Sequence, residues 1–164
     1  SLLVNEIEGR RINEWLDQPN AQWRLCYRQS KHGASASAFH SRCDSAESTI
    51  TIVKFTNGVK VGGYASGSWS GSGYRGSENN FLFSLTNNFK HDYERYTYYQ
   101  YSHPDYGPTF GGGHDFYTDL DGGTYCNLGH TYECRVGSFG TRECQEDFCG
   151  DFRPEIEELE VWYQ

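Results

Sequence analysis

The chain has no methionine, only four prolines, and 14 Lys and Arg against 22 Asp and Glu. No stretch approaches the ~18–20 consecutive apolar residues of a membrane-crossing helix, so no membrane span is expected. A net charge of −8 leaves little to neutralise phosphates, because nucleic-acid affinity comes from cations that displace counterions. The same sign disfavours anionic lipid. The lack of Met and of a charged-then-apolar leader is the pattern of a processed chain or of an excised piece. Several catalytic signatures are missing as well. There is no H-E-x-x-H, no G-x-S-x-G and no G-K-[ST]. C-x-x-C is also missing, which argues against zinc ribbons and thioredoxin-type chemistry.

What the chain has instead is cysteine, tyrosine and glycine. Six Cys stand at 26, 43, 126, 134, 144 and 149. An even count in a small acidic domain points to disulfides and an oxidising, extracellular compartment, against the plainer reading of six buried thiols. Cys26–Cys43 is the first expected pair, joining a strand to the helix after it. The other four allow three connectivities, of which Cys134–Cys144 with Cys126–Cys149 is preferred. Thirteen Tyr and 19 Gly suggest aromatic packing and many tight turns.

A chain of 164 residues has the length of one domain. Residues 1–19 read as an amphipathic helix stopped by Pro19, followed by a single domain over 20–164. Strands are expected at 23–28, 49–55, 59–64, 81–85, 93–101, 114–120, 131–134 and 156–162, with a helix over 35–44. Asn57-Gly58 marks a hairpin turn. Residues 65–78 read as a Gly/Ser-rich loop, and the stretch up to Gly150 as a Cys-rich acidic loop. The resulting fold class is α+β: an antiparallel two-sheet β-sandwich flanked by a few helices.

An ordered set of motifs runs from Trp23 to Trp162: W-x-L-C-Y-R (23–28), FHSRCD (39–44), TITIV (49–53), GGY (62–64), Trp69, FLFSL (81–85), YGPTFGGGHDFY (106–117), N-L-G (127–129) and E-E-L-E-V (157–161). This set resembles the TLDc domain family, and YGPTFGGGHD is its most specific piece. The resemblance implies a two-sheet sandwich with flanking helices. Some intracellular members are implicated in protection from oxidative damage and in regulation of the vacuolar proton pump. Cys26, where those members usually carry an aliphatic residue, and the four Cys of 126–149 instead resemble extracellular, disulfide-bearing members from marine invertebrates.

His114 and Asp115 are the one conceivable acid–base pair. Neighbouring strand residues point to opposite faces, so the pair is expected to be structural and the protein not an enzyme. Asp119-x-Asp121-Gly122 begins like a calcium loop, but Gly123 and His130 occupy positions that would need oxygen ligands. A less regular calcium site on Asp119, Asp121 and a carbonyl stays open; otherwise no cofactor is expected. Six Tyr between 93 and 106 have mixed parity, so some must be exposed. Rings beside carboxylates suit sugars, which offer apolar C–H faces and dense hydroxyls. The candidate ligand residues are Trp69, Tyr74, Tyr99, Tyr101, Asp119 and Asp121. The expected function is a secreted, lectin-like module that takes a glycan or another cell-surface or matrix ligand. Weak single-site affinity would call for homo-oligomers, with the helix at 1–18 as the contact. A structural or adhesive matrix component, and an intracellular TLDc-type regulator, are the alternatives.

Overall fold

A computed structural model describes residues 1–164. In chain order the elements are α1 (Glu6–Trp15), β1 (Arg24–Arg28), α2 (Gln29–His32), α3 (Ala36–Cys43), β2 (Thr49–Phe55), β3 (Lys60–Ala65), β4 (Gly73–Arg75), β5 (Phe81–Ser84), β6 (Phe89–Asp92), β7 (Gln100–Ser102), β8 (Thr109–Phe110), β9 (Phe116–Tyr117), β10 (Tyr125–Cys126), α4 (Arg142–Cys149) and β11 (Ile156–Tyr163). Two antiparallel sheets result, six strands in the order β1-β11-β2-β3-β5-β6 and five in the order β10-β9-β8-β7-β4. This is the expected α+β sandwich.

β2 explains the layering. Its burial is continuous rather than alternating, because both of its faces are covered. Val53 and Phe55 belong to the main core between the sheets, with Trp69, Phe110, Phe116 and Phe148. Ile50 and Ile52 face a smaller cluster with Leu3, Ile12, Phe81 and Phe83, roofed by α1. Each such side chain contributes about 1.5–3 kcal/mol on burial. The GGY motif lets the sheets pack closely: a Cβ on Gly63 would lie 2.7 Å from the Phe110 ring.

α1 is shorter than the expected helix of 1–19. Asn5 starts it with a capping box: its side chain accepts from Glu8 N–H at 2.8 Å, and Glu8 accepts from Asn5 N–H at 3.1 Å. These contacts satisfy donors the first turn cannot pair. Residues before Asn5 form an arm held by Glu160, which is fully buried. Glu160 accepts from Ser1 Oγ at 2.6 Å, Leu2 N at 3.0 Å, and Arg28 Nε and Nη2 at 3.0 and 2.9 Å.

Several expected boundaries are corrected. The acidic stretch before Gly150 is not a loop throughout but contains α4, with Thr141 as N-cap and Gly150 in the left-handed conformation at its end. The Gly/Ser-rich loop contains β4, and β6 adds a hairpin strand after β5. The Tyr-dense strand over 93–101 reduces to β7 and one bridge, Tyr93 to Tyr132, because Tyr96 turns to a positive φ of 66° between them. The expected strand at 114–120 keeps only β9, and Tyr132 in that bridge is all that remains of 131–134.

All six Cys are paired, as Cys26–Cys43, Cys126–Cys149 and Cys134–Cys144, with Cα separations of 5.5, 6.5 and 5.6 Å. The first ties α3 to β1, and the other two clamp α4 onto the chain around the five-stranded sheet. No helix is long and apolar enough to cross a membrane.

Candidate functional site

The five-stranded sheet turns one face to the core and the other outward. Gln100, Ser102, Phe110, Phe116 and Cys126 are buried, and strand alternation places the neighbours of several of them on the opposite face. Tyr74 stands directly across from Tyr101, and Tyr117 directly across from Tyr125. Tyr106 bridges these two pairs, its ring centroid 5.8 Å from Tyr101 and 5.0 Å from Tyr117. Tyr98 lies 4.7 Å from Tyr74 at one end, and Phe152 lies 6.3 Å from Tyr125 at the other. The outcome is a strip of rings across all five strands, roughly 19 Å wide at ~4.8 Å per strand. Tyr74, Tyr98 and Phe152 are 42–43% exposed.

Local chemistry fixes the strip. His40 on α3 holds the 103–106 turn, its Nε2 2.9 Å from His103 O and 2.8 Å from Tyr106 O, while its Nδ1 lies 2.6 Å from Asp44. Gly107 lets that turn approach β9, since a Cβ there would lie 2.6 Å from Thr118 Oγ1. Burial raises the Tyr74 hydroxyl above its usual range, helped by Tyr101 and Tyr98. Burial and then Asp119 push Tyr117 up to about 12. Both hydroxyls therefore stay protonated at neutral pH and can donate.

The GGGHD run has a structural role. Gly111 has a φ of 83°, and a Cβ there would overlap the Asp115 carboxylate. Asp115 is fully buried, and its Oδ2 accepts from the N–H groups of Gly129, Thr131 and Tyr132 at 3.2, 2.9 and 3.0 Å. Burial pushes its pKa up to about 6 against the pull of those donors. His114 instead bonds Gly111 O through Nδ1 at 2.9 Å. The two side chains are engaged separately, so no acid–base dyad is assembled.

Of the six candidate ligand residues, Tyr74 and Tyr101 lie on the strip, toward its β4 end. Trp69 is corrected: it is fully buried, with Nε1 donating to Thr49 Oγ1 at 2.9 Å, and it belongs to the core. Tyr99 is also off the strip, packing on Tyr93 at 5.0 Å. Asp119 adjoins Tyr117 but is used by its own turn, accepting from Asp121 N–H at 2.9 Å. Asp121 is exposed beyond it. No three His, Cys, Asp or Glu side chains converge as a metal centre would need. Sequence reasoning did not single out Tyr98, Tyr106, Tyr117, Tyr125 and Phe152 as ligand residues, because they meet only when two- and three-residue strands and the loops beside them come together. His114, weighed there only beside Asp115, packs 5.2 Å from Tyr101.

The family model of the TLDc domain matches residues 1–164. The chain belongs to the TLDc family. Among curated relatives, this TLDc domain is 30% identical to TBC1 domain family member 24 of Xenopus tropicalis over 112 residues, 65% of this chain and 20% of that protein. It is 34% identical to the MTOR-associated protein MEAK7 of Danio rerio over 67 residues, 40% of this chain and 15% of that protein. The domain thus spans a fifth or less of either relative's length. It carries three disulfides on its two-sheet sandwich.

Proposed function

We propose that this TLDc domain is an extracellular, non-catalytic recognition module that binds carbohydrate across the aromatic outer face of its five-stranded sheet. The observation carrying the reading is the ring strip itself, in which the Tyr74 and Tyr101 rings lie 4.8 Å apart at an interplanar angle of 56°. Stacking platforms with hydroxyl donors match the alternating apolar and polar faces of a sugar chain. The three disulfides support an oxidising compartment. Binding of this kind is weak per site, so avidity through self-association belongs to the proposal. Leu2 and Ile7, 68% and 63% exposed at the amino-terminal arm and on α1, are the surface for it.

The test is a glycan array probed with oxidised, folded protein, with and without calcium, alongside Tyr101→Ala. Signals that Tyr101→Ala loses support the reading, and signals that also need calcium would place an ion in the site. A uniformly blank array would leave a Tyr-faced matrix component as the better account. A second reading, an intracellular regulator, is favoured by the similarity to TBC1 domain family member 24 and to the MTOR-associated protein MEAK7. Free thiols in protein isolated from its source would support that reading over ours.

A further inference from the structure

At one end of the ring strip the backbone itself comes to the surface. Gly113 is exposed and makes no backbone hydrogen bond through its N–H or C=O. A Cβ on Gly112 would lie 2.7 Å from Tyr98 Cδ2 and 2.8 Å from His130 Cε1, so only glycine lets both rings lie against this floor. Four rings wall it in sequence: His114 to Tyr74 at 6.3 Å, Tyr74 to Tyr98 at 4.7 Å, and Tyr98 to His130 at 6.3 Å. Asn127 stands beside it, its Nδ2 3.5 Å from where a Gly113 Cβ would stand.

The polar atoms around this floor are unspent. His114 uses Nδ1 on Gly111 O, and His130 places Nδ1 3.0 Å from Thr131 Oγ1, leaving Nε2 of each ring free. Asn127 commits its backbone N–H to Asp115 O at 2.8 Å, but its side-chain amide has no partner within the protein. The floor is nonetheless rigid. Gly112 N–H donates to Thr131 Oγ1 at 3.1 Å, and the buried Asp115 carboxylate holds the backbone of 129–132 from beneath. A rigid surface with free donors and acceptors avoids the ordering cost of binding.

We propose that this glycine-floored surface is the primary subsite for one neutral pyranose, with Asn127 and His114 bonding its hydroxyls and the exposed Tyr98 ring stacking on one C–H face. His130 is already stacked on by Tyr96 at 4.7 Å and serves as the edge of the site. The inference rests on the carbohydrate reading of the aromatic face and deepens it: the strip from Tyr101 to Tyr125 then serves further sugars of a longer chain. Neither Lys nor Arg lines the site, and the nearby Arg95 already pairs with Glu94 at 3.5 Å, so an anionic sugar finds no unpaired cation there.

The experiment titrates ¹⁵N-labelled protein with galactose, glucose, mannose, N-acetylglucosamine and N-acetylneuraminic acid, and with a neutral tetrasaccharide. The expected result is amide shifts centred on Gly112, Gly113 and Asn127 with at least one neutral monosaccharide. Asn127→Ala should weaken this by about tenfold, as for one lost hydrogen bond, and Gly113→Val should abolish it by filling the floor. Tyr125→Ala should keep monosaccharide affinity and lose only tetrasaccharide affinity. The amide spectrum of each variant reports whether it folds, and Asn127→Ala carries the test if Gly113→Val does not. Shifts centred on Tyr117 and Tyr125 would overturn the subsite but leave the carbohydrate reading standing. Tighter binding of N-acetylneuraminic acid would overturn its neutrality. No shift with any sugar would overturn both.

Discussion

Reduction of the three disulfides should remove a large share of this domain's stability and lower its unfolding midpoint sharply. The pairs close separations of 17, 23 and 10 residues. Chain entropy assigns about 3 kcal/mol to each such loop. Cys134–Cys144 lies inside the Cys126–Cys149 loop, so the sum falls below full additivity, at roughly 6–9 kcal/mol. A domain of this size is stable by about 5–15 kcal/mol, so the bridges amount to a large share of the whole. The main core is still substantial, and compact, partly ordered states are expected to survive reduction. The assay is urea unfolding followed by near-ultraviolet circular dichroism, with and without a phosphine reductant. Intact mass checks that all six thiols have been released. An unfolding midpoint unchanged after full reduction would refute the reasoning, since the disulfides would then add nothing to a self-sufficient core.

Other consequences concern buried groups. Trp69→Ala should cost about 3–5 kcal/mol in the same unfolding assay; a cost below ~1 kcal/mol would mean the ring is not core. Glu160→Gln strips the charge from a hub that holds Arg28, Ser1 and Leu2, and should cost about 2–4 kcal/mol. Hydrogen exchange should show residues 1–4 loosened, whereas unchanged protection there would contradict the hub. Burial lowers His91 to about 4 and raises Asp115 to about 6. Below pH 6.5 the unfolded chain protonates His91 first, which lowers stability. Below about 6 the folded chain protonates Asp115 first, which raises it. From pH 6.5 to 5 the two offset at about 1–2 kcal/mol each, so wild-type stability should stay nearly flat over that window. His91→Gln should therefore gain stability on acidification, and a loss would reverse the assignment.

The six-stranded sheet was legible because β2, β3, β5 and β11 carry their own apolar patterns, and Asn57-Gly58 announces the hairpin between the first two. Cys26–Cys43 followed from packing a strand against the helix after it, whereas the pairing of the other four Cys was a preference among three connectivities, and the structure has the preferred one. The second sheet was hardly legible. Its strands β8, β9 and β10 have two residues each, too short for any periodicity to register. Tertiary pairing, which a single sequence does not display, is what aligns Tyr74 with Tyr101 and Tyr117 with Tyr125. Trp69 shows the converse error: a ring in a Gly/Ser-rich stretch looks exposed until the chain folds it under β2. α4 was missed although Thr141 and Gly150 mark its ends, because its polar surface hid the buried Cys144, Phe148 and Cys149.

The central claim is that ligand lies on the aromatic face, and hydroxyl-radical footprinting by mass spectrometry tests it most directly. The protein would be labelled alone and with the strongest-binding glycan from the array. The account predicts protection of Tyr74, Tyr98, Tyr101 and Tyr125, with Tyr163 and Trp23 at the six-stranded sheet labelled equally in both samples. Protection at Tyr163 and Trp23, or a ring strip labelled as fully with glycan as without, would contradict it.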